Sequence, residues 1–146
     1  MQVLDVFRQR HRVEFSDTDM AGIIHFSSYF RYMEVTEHAF LRACGFSVVG
    51  NDGLGWPRVD VGCNYKAPLR FEDEVDVVLS IDEMREKSIR YGFSFQQILG
   101  TTQIQVATGH VTTVCVQMDS VNKAMKATAI PENLRSALLN FRQLEQ

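Results

Sequence analysis

The sequence predicts an α+β domain in which a mostly antiparallel sheet packs against one principal helix. Apolar residues recur at three- and four-residue spacing between Phe26 and Cys44, whereas further along the chain they alternate with polar residues. The predicted order is one strand, one long helix and then four consecutive strands. A chain of 146 residues with 45% apolar residues can build one core, so a single domain over residues 1–146 is expected.

The first strand and the long helix are the first two elements. A strand is predicted at about residues 8–16, where Val13 and Phe15 alternate with polar neighbours. The helix is predicted over residues 26–44, because this stretch contains no proline and Gly45 follows it as a natural stop. A serine hydroxyl at residues 27–28 is expected to cap its first turn.

The remaining chain is predicted to be mainly strands. Apolar side chains occupy alternate positions or form β-branched stretches over residues 59–65, 75–81, 89–95 and 104–118. A short amphipathic helix is predicted to begin at Pro131, since proline suits the first helical position. Before these strands, the glycine-rich segment VVGNDGLGWP lacks a phosphate-binding pattern and is expected to turn the chain or to cover part of a pocket.

Charge and cysteine content argue against several classes of function. The net charge of −3 and the pI near 5.8 give no field that would attract nucleic acid or an anionic membrane. Cys44, Cys63 and Cys115 match no zinc spacing and leave one thiol unpaired in any disulfide scheme, which favours a reducing, cytoplasmic location. No stretch resembles a signal peptide or a membrane span, so a soluble and unprocessed protein is expected.

The stretch FSDTDMAGIIHFSSY, between the first strand and the helix, concentrates polar side chains. Asp17-x-Asp19 with a following glycine is similar to the start of a calcium loop, but Ala21 and Ser28 stand where that loop needs ligands. Phosphoryl transfer by an Asp-x-Asp pair would need a buried apolar strand before it, whereas the lead-in RVEF is half polar. No metal is therefore expected.

Acyl transfer by a single carboxylate is a third interpretation. A carboxylate between a strand end and a helix start lies beside free backbone N–H groups and the positive end of the helix dipole, which together can stabilise an oxyanion. A thioester suits such a site because its thiolate leaving group has a pKa of roughly 8.5 and needs no strong general acid. The alternative is a polar turn whose side chains satisfy only its own backbone.

The segment DTDMAGIIHFSSYFRYMEVTEHAFLR resembles the signature of the 4-hydroxybenzoyl-CoA thioesterase family of hotdog-fold proteins. In that signature, D-x-D-x-x-G-x-V precedes an aromatic or His pair, a Tyr and a helical Glu. The matching residues are Asp17, Asp19, Gly22, Ile24, His25, Tyr29 and Glu34, with Ile24 in place of the usual Val. The segments YKAPLRFED, MREKSIRYGF and ATAIP extend the resemblance over residues 8–131. It implies a hotdog fold, a curved antiparallel sheet of about five strands wrapped around one long helix.

The resemblance also implies roles for particular residues. Asp19 would be the catalytic base or nucleophile, the backbone N–H at Phe26 would stabilise the oxyanion, and Asp17 would hold the turn. The expected substrate pocket residues are Gly22, His25 and Tyr29. A lone histidine or a helical aromatic residue is more often structural, so a purely structural role is the alternative for His25 and Tyr29.

Arg85 and Lys87 match positions at which relatives bind the nucleotide phosphates of CoA. The alternative is a solvated strand end in which Glu83 and Glu86 are their partners. Glu34 and Glu37 lie where a second class of hotdog thioesterases places its carboxylate. Because the aspartate motif is intact, structural or pocket roles are expected for both.

The resemblance implies an enzyme that hydrolyses an acyl-CoA thioester to free acid and CoA. No cofactor is expected, since CoA is part of the substrate, and a homodimer or homotetramer is expected. The alternative is a hotdog protein that binds an acyl-CoA or acyl-carrier thioester without turnover; a hotdog dehydratase would lack the aspartate signature. The acyl group stays open, because its candidate pocket residues are equally explained as core: Phe30, Met33, Trp56, Tyr65 and Phe93.

Overall fold

The computed structural model describes residues 7–50 and 52–142, so residue 51 of the glycine-rich segment lies outside the described residues. The strands are β1 (Phe7–Arg12), β2 (Leu54–Gly55), β3 (Arg58–Tyr65), β4 (Glu74–Met84), β5 (Ser88–Leu99), β6 (Thr102–Val114), β7 (Val116–Met118) and β8 (Met125–Ala127). The helices are α1 (Ser28–Ala43) and α2 (Glu132–Leu139), and a 3₁₀ turn covers Phe15–Asp17.

Five strands form one antiparallel sheet in the order β1-β4-β5-β6-β3. Helix α1 packs against this sheet and buries Met33 and Phe40. At Gly109 in β6, a Cβ atom would lie 2.6 Å from the sulfur of Met33, so glycine gives this helix side chain room against the sheet. The predicted α+β architecture, with five antiparallel strands and one long helix, is confirmed.

The first strand is shorter than predicted, because β1 ends at Arg12 rather than near residue 16. The amide of Glu14 donates to the carboxylate of Asp17 at 3.0 Å instead of to a neighbouring strand. This side-chain bond stops the ladder and opens the 3₁₀ turn.

The start of α1 also differs from the prediction. The helix begins at Ser28, two residues later than expected, and neither predicted serine caps it through its side chain. The hydroxyl of Ser28 donates to the carbonyl oxygen of Asp17, and that of Ser27 pairs with the ring of His25. Both hydroxyls therefore bond to the preceding loop and not to the helix.

The predicted strand over residues 104–118 is two strands, β6 and β7, separated at Cys115. The amide of Cys115 donates to the carbonyl oxygen of Lys87, and β7 then joins a second sheet in the order β2-β7-β8. Strand β8 was not predicted from the sequence. The short C-terminal helix starts at Glu132 with Pro131 at its N-cap, within one residue of the prediction. No helix in the described part of the chain is long and apolar enough to cross a membrane.

Candidate active site

Residues 17–25, which we call the aspartate loop, connect the 3₁₀ turn to α1. An antiparallel bridge pairs Thr18 with Ile24, and the amide of Asp19 donates to the carbonyl oxygen of Ile23 at 2.9 Å. Gly22 closes the turn with a φ of +79°, in the left-handed region that favours glycine. A Cβ atom at this position would meet nothing within 4 Å, so backbone conformation and not crowding requires the glycine.

The two carboxylate oxygens of Asp19 differ in their surroundings. Oδ1 accepts a hydrogen bond from the amide of Ala21 at 2.8 Å, and the amide of Ile23 lies 3.5 Å away. No donor in residues 7–50 or 52–142 reaches Oδ2, and the side chain is partly exposed. One oxygen is therefore held by the loop, while the other is available for chemistry.

The carboxylate of Asp17 is buried, with only 2% of its surface exposed. Oδ2 accepts hydrogen bonds from the hydroxyl of Tyr32 at 2.6 Å and from the amide of Glu14 at 3.0 Å. Oδ1 forms an ion pair with the guanidinium of Arg31. These contacts agree with the structural role expected for Asp17.

The amide of Phe26, at the start of α1, has no acceptor in the described part of the chain. The neighbouring amides that do have acceptors are those of Ile24, His25, Ser27 and Ser28. The carbonyl oxygen of Phe26 accepts a hydrogen bond from the hydroxyl of Tyr65 at 2.9 Å, which fixes this peptide from the other side. A free N–H at the positive end of a helix is the group that an oxyanion site requires.

His25 and Tyr29 lie in the aspartate loop and in the first turn of α1. Nδ1 of His25 accepts a hydrogen bond from the amide of Ser27 at 3.2 Å, so in the neutral ring the proton is on Nε2. Tyr29 is 2% exposed and packs edge-on against Tyr65 and Phe95. Burial raises the pKa of Tyr29 to about 12, so its hydroxyl stays protonated at neutral pH.

Arg85 and Lys87 lie in the turn between β4 and β5, at the other end of the sheet from the aspartate loop. Along β5, the seven steps from Ser88 to Phe95, which contacts the first turn of α1, span roughly 23 Å at about 3.3 Å per residue. Within one chain the structure does not bring these cations to Asp19.

The turn that carries the two cations is held by a residue that the sequence did not single out. The guanidinium of Arg135 donates to the carbonyl oxygens of Arg85 and Glu86 at 2.8 and 2.9 Å. The amide of Cys115 bonds to the carbonyl oxygen of Lys87 at 2.8 Å. An arginine far away in sequence carries no local signal of such backbone contacts, so only the folded chain identifies it.

The two glutamates of α1, Glu34 and Glu37, differ in burial. Glu34 is exposed, whereas Glu37 is 2% exposed and forms an ion pair with Arg58 at 3.0 Å. Burial raises the pKa of Glu37, and the charge of Arg58 opposes that shift. Glu37 lines a small cavity that the glycine-rich segment helps to cover through Val48, Asp52 and Trp56. The expectation that this segment covers part of a pocket is confirmed, although the pocket lies at Glu37.

Comparison with known proteins identifies the family. Residues 13–138 match the thioesterase-like superfamily. The chain belongs to this superfamily. The resemblance to 4-hydroxybenzoyl-CoA thioesterases and the prediction of a thioester hydrolase are thereby confirmed.

Individual relatives of this thioesterase cover most of its length. The structure of BH1999 gentisyl-coenzyme A thioesterase is 31% identical with a TM-score of 0.77, covering 90% of this chain and 99% of that one. The acyl-CoA thioester hydrolase YbgC of Escherichia coli O6:H1 is 27% identical over 131 residues, which are 88% of this chain and 92% of the relative. A mutant 4-hydroxybenzoyl CoA thioesterase complexed with 4-hydroxybenzoyl CoA is 20% identical with a TM-score of 0.82, covering 92% and 99% of the two chains. These structures confirm the hotdog fold.

Proposed function

We propose that this thioesterase hydrolyses an acyl-CoA thioester to free acid and CoA, with Asp19 as the general base or nucleophile. One observation carries the proposal. The same loop-to-helix segment contains a carboxylate oxygen of Asp19 without a donor and an amide of Phe26 without an acceptor in the described part of the chain. The names of the relatives, a gentisyl-CoA thioesterase and an acyl-CoA thioester hydrolase, support the substrate class.

The reaction proceeds by one of two routes. As a base, Asp19 takes a proton from water, and the resulting hydroxide attacks the thioester carbonyl carbon. As a nucleophile, Asp19 attacks that carbon itself, and water then hydrolyses the mixed anhydride. In both routes the amide of Phe26 stabilises the oxyanion, the C–S bond breaks and CoA leaves as a thiolate. His25 and Tyr29 border the acyl group.

The CoA nucleotide is bound by Arg85 and Lys87, which requires more than one subunit. Because these cations lie at the far end of the sheet from Asp19 of the same chain, we propose that they serve the site of a partner subunit. Strands β1 and β3 form the two edges of the five-stranded sheet, and pairing of edges between copies would produce a homodimer or a larger assembly. A cytoplasmic location fits the three thiols, which form no disulfide with each other.

The test is the variant Asp19→Asn, assayed by thiol release on a panel of aromatic and short or medium aliphatic acyl-CoA esters. Asparagine keeps an oxygen that can accept from the amide of Ala21, so the loop is expected to persist. We expect kcat/KM for the best substrate to fall by about two orders of magnitude or more, while acyl-CoA binding persists. The panel also identifies the acyl group.

Asp119→Asn is the matched control. The Oδ1 atom of Asp119 accepts hydrogen bonds from the amides of Val121 and Asn122, in a turn far along the chain that resembles the aspartate loop in this respect. Its activity should equal that of the wild type. An unchanged rate in Asp19→Asn would remove Asp19 from the mechanism, and acyl-CoA binding without any turnover by the wild type would establish the non-catalytic alternative.

A further inference from the structure

Tyr32 lies in the second turn of α1 and touches the aspartate loop with a single polar atom. The side chain is buried, with 5% of its surface exposed, and the hydroxyl donates to Oδ2 of Asp17 at 2.6 Å. Burial raises the pKa of Tyr32 to about 12, so this hydroxyl remains a donor throughout the neutral range.

Asp17 fixes both ends of the aspartate loop. Its side chain holds the amide of Glu14 before the loop. Its carbonyl oxygen accepts hydrogen bonds from the amide of His25 at 2.7 Å and from the hydroxyl of Ser28 at 3.0 Å, where the loop enters α1. Asp19 lies between these two anchor points, so a displacement of Asp17 moves the backbone that presents the Asp19 carboxylate.

The ring of Tyr32 is itself held in place. It stacks on the ring of His11 in β1, with centroids 4.9 Å apart and an interplanar angle of 9°. Nε2 of His11 lies 3.2 Å from the hydroxyl of Thr36, one turn further along α1, and Thr36 is fully buried. The other side-chain partner of Asp17, Arg31, has 56% of its side chain exposed and is less confined. Of the two side chains that contact the Asp17 carboxylate, Tyr32 is thus the one held in place by its surroundings.

We propose that Tyr32 is a positioning residue for Asp19, acting through Asp17 by fixing the two ends of the aspartate loop. The inference rests on the proposed function, because it assumes that Asp19 performs the reaction. A displacement of about 1 Å in a reacting group can reduce catalysis by about two orders of magnitude. Loss of the Tyr32 hydroxyl should therefore lower turnover, while the surfaces that bind acyl-CoA are unchanged.

The primary test is Tyr32→Phe, which removes the hydroxyl and keeps the ring on His11. We expect kcat to fall about tenfold while KM stays within about twofold, as for a loss confined to the transition state. The matched control is Tyr91→Phe, which removes a hydroxyl from another deeply buried tyrosine, on β5. It should keep the wild-type kcat. Urea denaturation establishes that each variant is folded under the assay conditions.

A double-mutant cycle with Asp19→Asn separates positioning from a general structural defect. If Tyr32 acts through Asp19, Tyr32→Phe should cause no further loss of kcat in the Asp19→Asn background. The same fold-loss in both backgrounds, or no loss in the wild-type background, would refute the positioning role and leave the proposed function intact. Full activity of Asp19→Asn alone would instead refute the proposed mechanism, and the positioning role with it.

Discussion

Asp17 and Asp19 are separated by one residue, yet the carboxylate of Asp17 is buried against the hydroxyl of Tyr32, whereas that of Asp19 is partly exposed with one oxygen available. This difference predicts opposite consequences for the same chemical change. Asp17→Asn removes a buried charge that pairs with Arg31 and should lower the free energy of unfolding by about 2–4 kcal/mol. Asp19→Asn should change it by less than about 0.5 kcal/mol.

Urea denaturation of the two variants measures these free energies, and thiol release measures their activities. Asp19→Asn should lose about two orders of magnitude in activity and keep the wild-type stability, whereas Asp17→Asn should be destabilised and partly active. Equal destabilisation by both changes would contradict the division of roles between the two aspartates.

The turn between β4 and β5 gives a prediction about CoA recognition. The double variant Arg85→Ala/Lys87→Ala should raise KM for an acyl-CoA by about tenfold, because it removes the two cations that we propose bind the CoA phosphates. It should leave KM unchanged for the same acyl group on N-acetylcysteamine, which lacks the nucleotide. Arg42→Ala, an exposed arginine at the end of α1, is the control.

Arg135→Leu extends this comparison. It removes the hydrogen bonds to the carbonyl oxygens of Arg85 and Glu86 and should likewise raise KM only for the CoA ester. An equal rise in KM for both esters would show that the turn affects the acyl site and not the nucleotide.

The Glu37–Arg58 ion pair predicts a pH-dependent stability defect. Arg58→Met leaves the buried carboxylate of Glu37 without its partner and should cost about 3 kcal/mol at neutral pH. Loss of Arg58 raises the pKa of Glu37 further. A carboxyl whose pKa is raised on folding favours the native state when protonated, so stability is lost as pH rises through the native pKa.

Denaturation of Arg58→Met at about pH 5 and about pH 8 measures this linkage. The loss in free energy of unfolding relative to the wild type should be larger at the higher pH. Adding Glu37→Gln to Arg58→Met should make the losses at the two pH values more nearly equal. A deficit independent of pH would contradict the assignment to Glu37.

Asp76 predicts the opposite pH dependence. Burial alone would raise its pKa, but hydrogen bonds from Arg10 and Arg8 outweigh that effect and lower it. A carboxyl with a lowered native pKa contributes stability above its unfolded pKa and loses it as pH falls through the native value. Asp76→Asn should therefore cost about 1–2 kcal/mol at neutral pH and progressively less in acid. A stability difference that grows as pH falls would contradict this linkage.

The sequence correctly predicted the strands and the helix whose buried apolar residues recur at regular spacing. Alternation in residues 75–81 and 89–95 and the helical spacing after Phe26 identified the central strands and α1, because burial on one face imposes those periods. The sequence-based prediction of element ends failed where a single hydrogen bond ends an element. Strand β1 stops because the amide of Glu14 bonds to Asp17, and β6 stops because the amide of Cys115 bonds to Lys87.

The chemistry of the candidate site was likewise only partly predictable. The sequence by itself determined the family and the residue types in the aspartate loop, since local turn chemistry and the motif lie within a few consecutive residues. The tertiary structure alone decided the burial of the Asp17 carboxylate, the unused amide at Phe26 and the separation of Arg85 from Asp19 within one chain. These features depend on partners distant in sequence, such as Tyr32 on the helix and Tyr65 on the sheet, whose approach is set by packing and not by local pattern.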